Sequence, residues 1–111
     1  MKDYGFREDE NGDPLIEHCQ TKQFATYYTT KESFTAFDAL YSNKMGLQDK
    51  FVAYWDYTSD RLAKNKYVVG YDPFNEPLPA NMLQDMTLFT PGVADRKLLA
   101  PMYSRVYEKY I

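Results

Sequence analysis

The chain has 111 residues, enough for one small domain around one modest core. It is 44% hydrophobic and 26% charged, with a net charge of −3, which is the balance of a folded soluble protein. No basic run exists to neutralise phosphates, which argues against nucleic acid as a partner, and no run of about 18 apolar residues exists to span a membrane. Aromatic residues make up 17%, with 11 Tyr, 7 Phe and one Trp. That is more tyrosine than a small core can satisfy, because each buried hydroxyl wants a partner, so some must face solvent, a groove or another protein segment. The lone Cys19 cannot form a disulfide within the chain.

Residues 1–30 show no sustained period and read as loop-rich. The N-terminal MKDYGFREDENGD is charged and lacks the apolar stretch of a signal peptide. Asp9 to Pro14 is a turn signal, with Gly12 free to take positive φ and Pro14 halting regular structure. It loosely resembles a calcium loop, but Gly12 is misplaced and no closing Glu follows, so the reading is a solvated loop with no metal. Phe24–Thr29 is a weak strand candidate.

Two helices are expected over 31–64. Thr30 or Thr29 caps the first, and Phe34, Phe37, Leu40 and Tyr41 form its apolar face. Gly46 opens the second, on which Leu47, Phe51, Tyr54, Trp55, Thr58 and Leu62 form one stripe, read as core packing and not as a ligand platform. Tyr67–Phe74 reads as a strand buried on both faces, the pattern of a parallel sheet covered by helices, with Pro73 ending its regular part. A long connection over 75–95 follows, with a short helix around Met82–Met86. Asp95 then caps a helix from Arg96 to Tyr110, with Leu99, Met102, Tyr103, Val106 and Tyr110 on its apolar face and Pro101 tolerated in its first turns. One strong strand needs neighbours, so the order of elements looks like a slice of an α/β protein.

The stretch GYDPFNEP, Gly70 to Pro77, resembles the Asn-Glu-Pro signature at the tip of the fourth barrel strand in glycoside hydrolase family 5, the cellulase-like retaining glycosidases. Its flanks resemble the endoglycoceramidase-related branch. These are Leu40-Tyr41, Gly46 to Phe51, Tyr54-Trp55 and Val68-Val69 on one side, and Pro91 to Arg96 and Leu98 to Tyr103 on the other. About residues 35–110 are covered. The resemblance implies an α/β fold, part of a (β/α)8 TIM barrel, mostly helical here with one or two parallel strands. It implies that Glu76 is the general acid/base and that Asn75 hydrogen-bonds the sugar 2-hydroxyl. Partial desolvation at a strand tip would raise the acid's pKa and let it carry a proton to the leaving oxygen.

A retaining glycosidase needs a second carboxylate about 5 Å away. In the family this nucleophile is a glutamate on the seventh strand, and nothing here corresponds to it. Glu108 is on a helix and His18 precedes the matched region, so hydrolysis by this chain alone would have to use another carboxylate, such as Asp72 or Asp85. Leu78-Pro79 stands where the family often has an aromatic. A fragment of a glycosidase acting on β-glucosides or glycolipids, inactive alone, is the first expectation. Alternatives are a non-catalytic interaction module with self-associating apolar faces, and a glycan-binding module that uses Asn75 and Glu76 without cleavage. No cofactor is implied. The parent family is commonly secreted or endolysosomal, and the compartment of this chain stays open.

Overall fold

The computed structural model describes residues 7–21 and 23–109, so Met1–Phe6 and Tyr110, expected above as part of the N-terminal stretch and of the last apolar face, lie outside the described residues. All regular elements among them are helical. They are a single turn α1 (Ile16–Cys19), a 3-10 turn at Phe24–Thr29, α2 (Lys31–Tyr41), α3 (Leu47–Leu62), a 3-10 turn at Met86–Phe89, and a π turn at Asp95–Leu99 that runs into α4 (Ala100–Tyr107).

Thr30 starts α2 in extended backbone and its hydroxyl accepts the Ser33 N–H at 3.3 Å. Asn43, at φ 55°, ends that helix in the left-handed region, and Gly46, at φ 72°, admits the next. Asn43 also ties the start of α3: its side-chain oxygen accepts the Asp49 N–H and its amide donates to the Asp49 carboxylate, each at 3.0 Å. Helices α2, α3 and α4 then pack together. Phe34, Val52, Met102 and Val106 are buried, and a satellite cluster of Ala80, Leu88 and Ala94 sits under Tyr41, Met82, Val93 and Leu98.

Several expectations are corrected. No strand ladder forms at 67–74 among the described residues, where the isolated bridge is Glu8 to Pro14. A ladder needs a second strand, and the candidate Phe24–Thr29 coils into a 3-10 turn held by threonine hydroxyls bonding back to Gln23, Thr26 and Tyr27. One face of the segment rests on α3, and the other is open, so Val69 is fully exposed where burial on both faces was expected.

The short helix expected around Met82–Met86 lies later, at Met86–Phe89, where the Asp85 side chain accepts the Thr87 N–H. The last helix starts not on an Asp95 cap but just after Gly92, at φ 76°, and widens to a π turn before Pro101. Proline lacks an N–H and clashes with the carbonyl four residues back, and the wider turn accommodates both, with the Ala100 N–H bonding to the Asp95 carbonyl.

The expected stripe on α3 splits. Gln48 and Val52 carry the buried line, while Leu47 and Tyr54 are exposed. Leu47 and Phe51 instead join Ala36, Phe37, Leu40 and Phe74 around an open apolar groove of about 370 Å³. The radius of gyration is 17.0 Å, against about 13 Å for a compact domain of this size.

Candidate functional site

Segment 71–78 crosses the three main helices. The Phe74 ring lies between Phe37 of α2 and Phe51 of α3, with centroid distances of 5.8 and 5.7 Å. Tyr71 meets Trp55 edge-on at 6.0 Å. Pro73 and Pro77 have no N–H, so the backbone of this stretch is held mainly through its carbonyls. The Trp55 indole N–H donates to the Pro73 carbonyl at 3.2 Å, the Tyr103 hydroxyl to the Phe74 carbonyl at 3.3 Å, and the Tyr41 hydroxyl to the Leu78 carbonyl at 2.8 Å. Asn75, Glu76 and Pro77 fall between these attachments.

Asn75 and Glu76 are both exposed. The partial desolvation expected of Glu76 is therefore not provided by the described residues, since no element among them covers that side of the tip. Glu76 sits at φ 43°. Positive φ is uncommon for a residue with a Cβ, and a following proline narrows the choice further. A backbone in that state persists where its surroundings over-determine it. The Glu76 side chain faces solvent on this turn.

The substitute carboxylates are engaged in local structure. Asp72 accepts the Phe74 N–H at 3.4 Å. Asp85 caps its 3-10 turn and pairs with Lys97 at 3.3 Å. The Thr87 hydroxyl, with help from Lys97, holds the Asp85 carboxyl below the usual carboxylate range. Glu108 follows the end of α4. His18 accepts the Arg7 N–H at Nδ1, at 3.3 Å, far along the chain from the Asn-Glu-Pro turn. In the Asp9 loop, the carboxylate accepts the N–H groups of Asn11 and Asp13, at 2.8 and 2.9 Å, which lowers its pKa. No group of three His, Cys, Asp or Glu among the described residues is placed to hold a metal ion. No helix among them is long and apolar enough to cross a membrane.

Sequence reasoning placed Tyr41, Trp55 and Tyr103 on core faces and missed their polar ends. The excess of tyrosine was the available signal: a half-buried hydroxyl needs an acceptor, and here the acceptors are the carbonyls around Glu76. Burial, together with the neighbouring Tyr103, pushes the Tyr41 hydroxyl pKa well up. Burial and then the Asp72 carboxylate raise that of Tyr103. Both therefore remain donors at neutral pH.

No family model matches the chain, and no solved structure matches it significantly. Two curated relatives do. The chain is 38% identical over 96 residues, 86% of its length, to an endoglycoceramidase of Hydra vulgaris. It is 33% identical over 99 residues, 89% of its length, to an endoglycoceramidase of Cyanea nozakii. The chain spans about a fifth of the length of these relatives, 19% and 20% respectively. Most of its sequence is thus similar to one region of these endoglycoceramidases.

Proposed function

We propose that the chain is the part of a family 5 retaining glycosidase that surrounds the tip of the fourth strand of a (β/α)8 barrel, and that it serves hydrolysis of a β-glucoside or glycolipid. The observation that carries the reading is Asn75-Glu76-Pro77 held as an exposed, fixed turn within a stretch similar to two endoglycoceramidases. In this reading Glu76 gives its proton to the glycosidic oxygen as the bond breaks. A carboxylate supplied from outside residues 7–109 attacks the anomeric carbon, and Glu76 then takes a proton from the water that releases the sugar. Asn75 holds the sugar 2-hydroxyl. The exposed Tyr67 and Val69, the open groove and the large radius of gyration support it, since a strand and helices taken from a barrel would leave such surfaces open. The chain alone lacks the second carboxylate and is inactive in this reading.

The test uses the polypeptide encoded by the complete transcript. Glu76→Gln is expected to lower hydrolysis of glucosylceramide about 10²–10⁴-fold. It should spare formation of the glycosyl-enzyme from a dinitrophenyl glucoside, whose leaving group needs no proton. Equal activity of wild type and variant on glucosylceramide would remove Glu76 from the role.

The open apolar groove and the exposed Val69 and Tyr67 also favour a second reading, a non-catalytic interaction module. A complete transcript whose product has no second catalytic carboxylate, and no hydrolysis, would favour it.

A further inference from the structure

Three side chains from three different helices converge on the backbone around Glu76. Trp55 of α3 and Tyr103 of α4 bond the carbonyls of Pro73 and Phe74, just before Asn75. Tyr41 of α2 bonds the carbonyl of Leu78, just after Pro77. We propose that Tyr41, Trp55 and Tyr103 are positioning residues that fix the Asn75-Glu76-Pro77 turn and so aim the Glu76 carboxyl. This rests on the reading of Glu76 as the proton donor.

The physical argument begins with what cannot hold the turn. Three of the seven residues from Pro73 to Pro79 are proline, so a regular ladder of N–H donors is impossible there. Carbonyls remain, and each of the three nearest the turn on its two sides is claimed by a rigid aromatic donor with few rotatable bonds. The two attachment points, Phe74 and Leu78, leave three residues between them. A span that short with both ends fixed has little freedom, which explains how Glu76 is kept at φ 43°. The donors also sit on separate helices, so the turn reports the packing of α2, α3 and α4 together. A proton donor loses effect when displaced by as little as 1 Å, so holding the backbone at both sides is a catalytic matter as well as a structural one.

None of the three side chains need touch substrate. Each acts through a carbonyl, which separates its role from that of Asn75 or Glu76. The uncharged donors suit the task, because Trp has no titration and burial keeps both tyrosines protonated.

The experiment compares the wild-type chain with Tyr41→Phe, Tyr103→Phe and the double variant. Each single change removes one oxygen and leaves the ring. The readouts are the heteronuclear NOE and the amide-to-α-proton coupling of Glu76, with the amides of Met102 and Val106 as controls for the helical core. In the double variant the Glu76 NOE is expected to fall and its coupling to move towards a conformational average, while Met102 and Val106 keep wild-type values. Should the double variant fail to fold, the two single variants carry the same comparison. Wild-type NOE and coupling at Glu76 in folded variants would overturn the proposal.

A kinetic arm uses the polypeptide from the complete transcript. There Tyr103→Phe is expected to lower kcat on glucosylceramide at least about tenfold with KM nearly unchanged, while the burst in which the glycosyl-enzyme forms from a dinitrophenyl glucoside keeps its wild-type rate. A glycosylation burst slowed as much as glucosylceramide hydrolysis would overturn the aiming role. If Glu76→Gln leaves glucosylceramide hydrolysis intact, the glycosidase reading falls, and the NMR result still decides whether the three donors hold the turn.

Discussion

The Arg105 guanidinium of α4 donates to the side-chain oxygen of Gln48 on α3, a residue only 6% exposed. Gln48 uses its amide in the other direction, donating to the carbonyls of Leu40 and Tyr41 at 3.3 and 3.2 Å. One buried polar side chain thus joins the end of α2, the start of α3 and the last turn of α4. Arg105 adds a second bond to Asp49. A buried amide with both ends satisfied costs little, while removing it strips partners from three groups at once. Gln48→Ala is expected to destabilise the chain by about 1–3 kcal/mol, read as a lower urea midpoint with an unchanged slope. A midpoint equal to wild type would show that water replaces the amide without loss.

Stability should fall at both ends of the pH scale for different reasons. The Asn43 amide, and then Arg105, hold the Asp49 carboxyl below its ordinary value, and the Thr87 hydroxyl does the same for Asp85. A depressed folded pKa gives stability above the unfolded value, near 4, that is lost as pH falls through the folded value. Both carboxylates are solvent-facing, so added salt should shrink this acid limb. Tyr41 and Tyr103 have raised values, chiefly from burial. Their contribution is complete below the unfolded value, near 10, and is lost as pH rises through the folded one. Urea midpoints measured from pH 3 to 11 should therefore form a plateau with two falling limbs. Tyr41→Phe should flatten the alkaline limb and leave the acid limb alone.

The periodic parts of the chain were the legible ones. Phe34, Phe37, Leu40 and Tyr41 mark α2 by spacing, and Thr30 marks its start, because helix formation and capping depend on residues within a turn or two. Tyr67–Phe74 misled because its β-branched and aromatic content describes a strand in a sheet, and pairing depends on a partner that lies elsewhere in sequence. The π turn before Pro101 was not read from the proline, which was expected to be tolerated in the first turns of an ordinary helix, because its form depends on how α4 meets its neighbours. Asn75-Glu76-Pro77 was legible as a motif. Its φ, its exposure and its three aromatic donors were not, since those depend on contacts 18 to 37 residues apart.

Phe74 is the apolar counterpart of those donors. Its ring meets Phe37 and Phe51 beside the open groove, so its contacts hold the segment onto two helices. Phe74→Ala is expected to cost about 2 kcal/mol, less than for a fully buried ring because one side of Phe74 borders the groove. The same change should loosen the Trp55 bond to Pro73 and redden the tryptophan emission. A stability loss without any change in emission would show that Trp55 holds the segment independently of Phe74.

Glu76 sets stability against function at a single residue. Its backbone is at φ 43°, where a side chain with a Cβ is strained and glycine is not. Glu76→Gly removes that strain, together with the exposed carboxylate, and no buried contact is lost because the side chain faces solvent. The expected result is a gain of about 1 kcal/mol, seen as a higher urea midpoint. Glu76→Gln, which keeps the Cβ and the strain, should leave the midpoint where it is. The pair separates backbone from charge: a gain in both variants would assign the cost to the carboxylate, whereas a gain in glycine alone assigns it to the turn. If neither variant gains, the turn carries no strain in solution, and the positive φ at Glu76 costs the chain nothing.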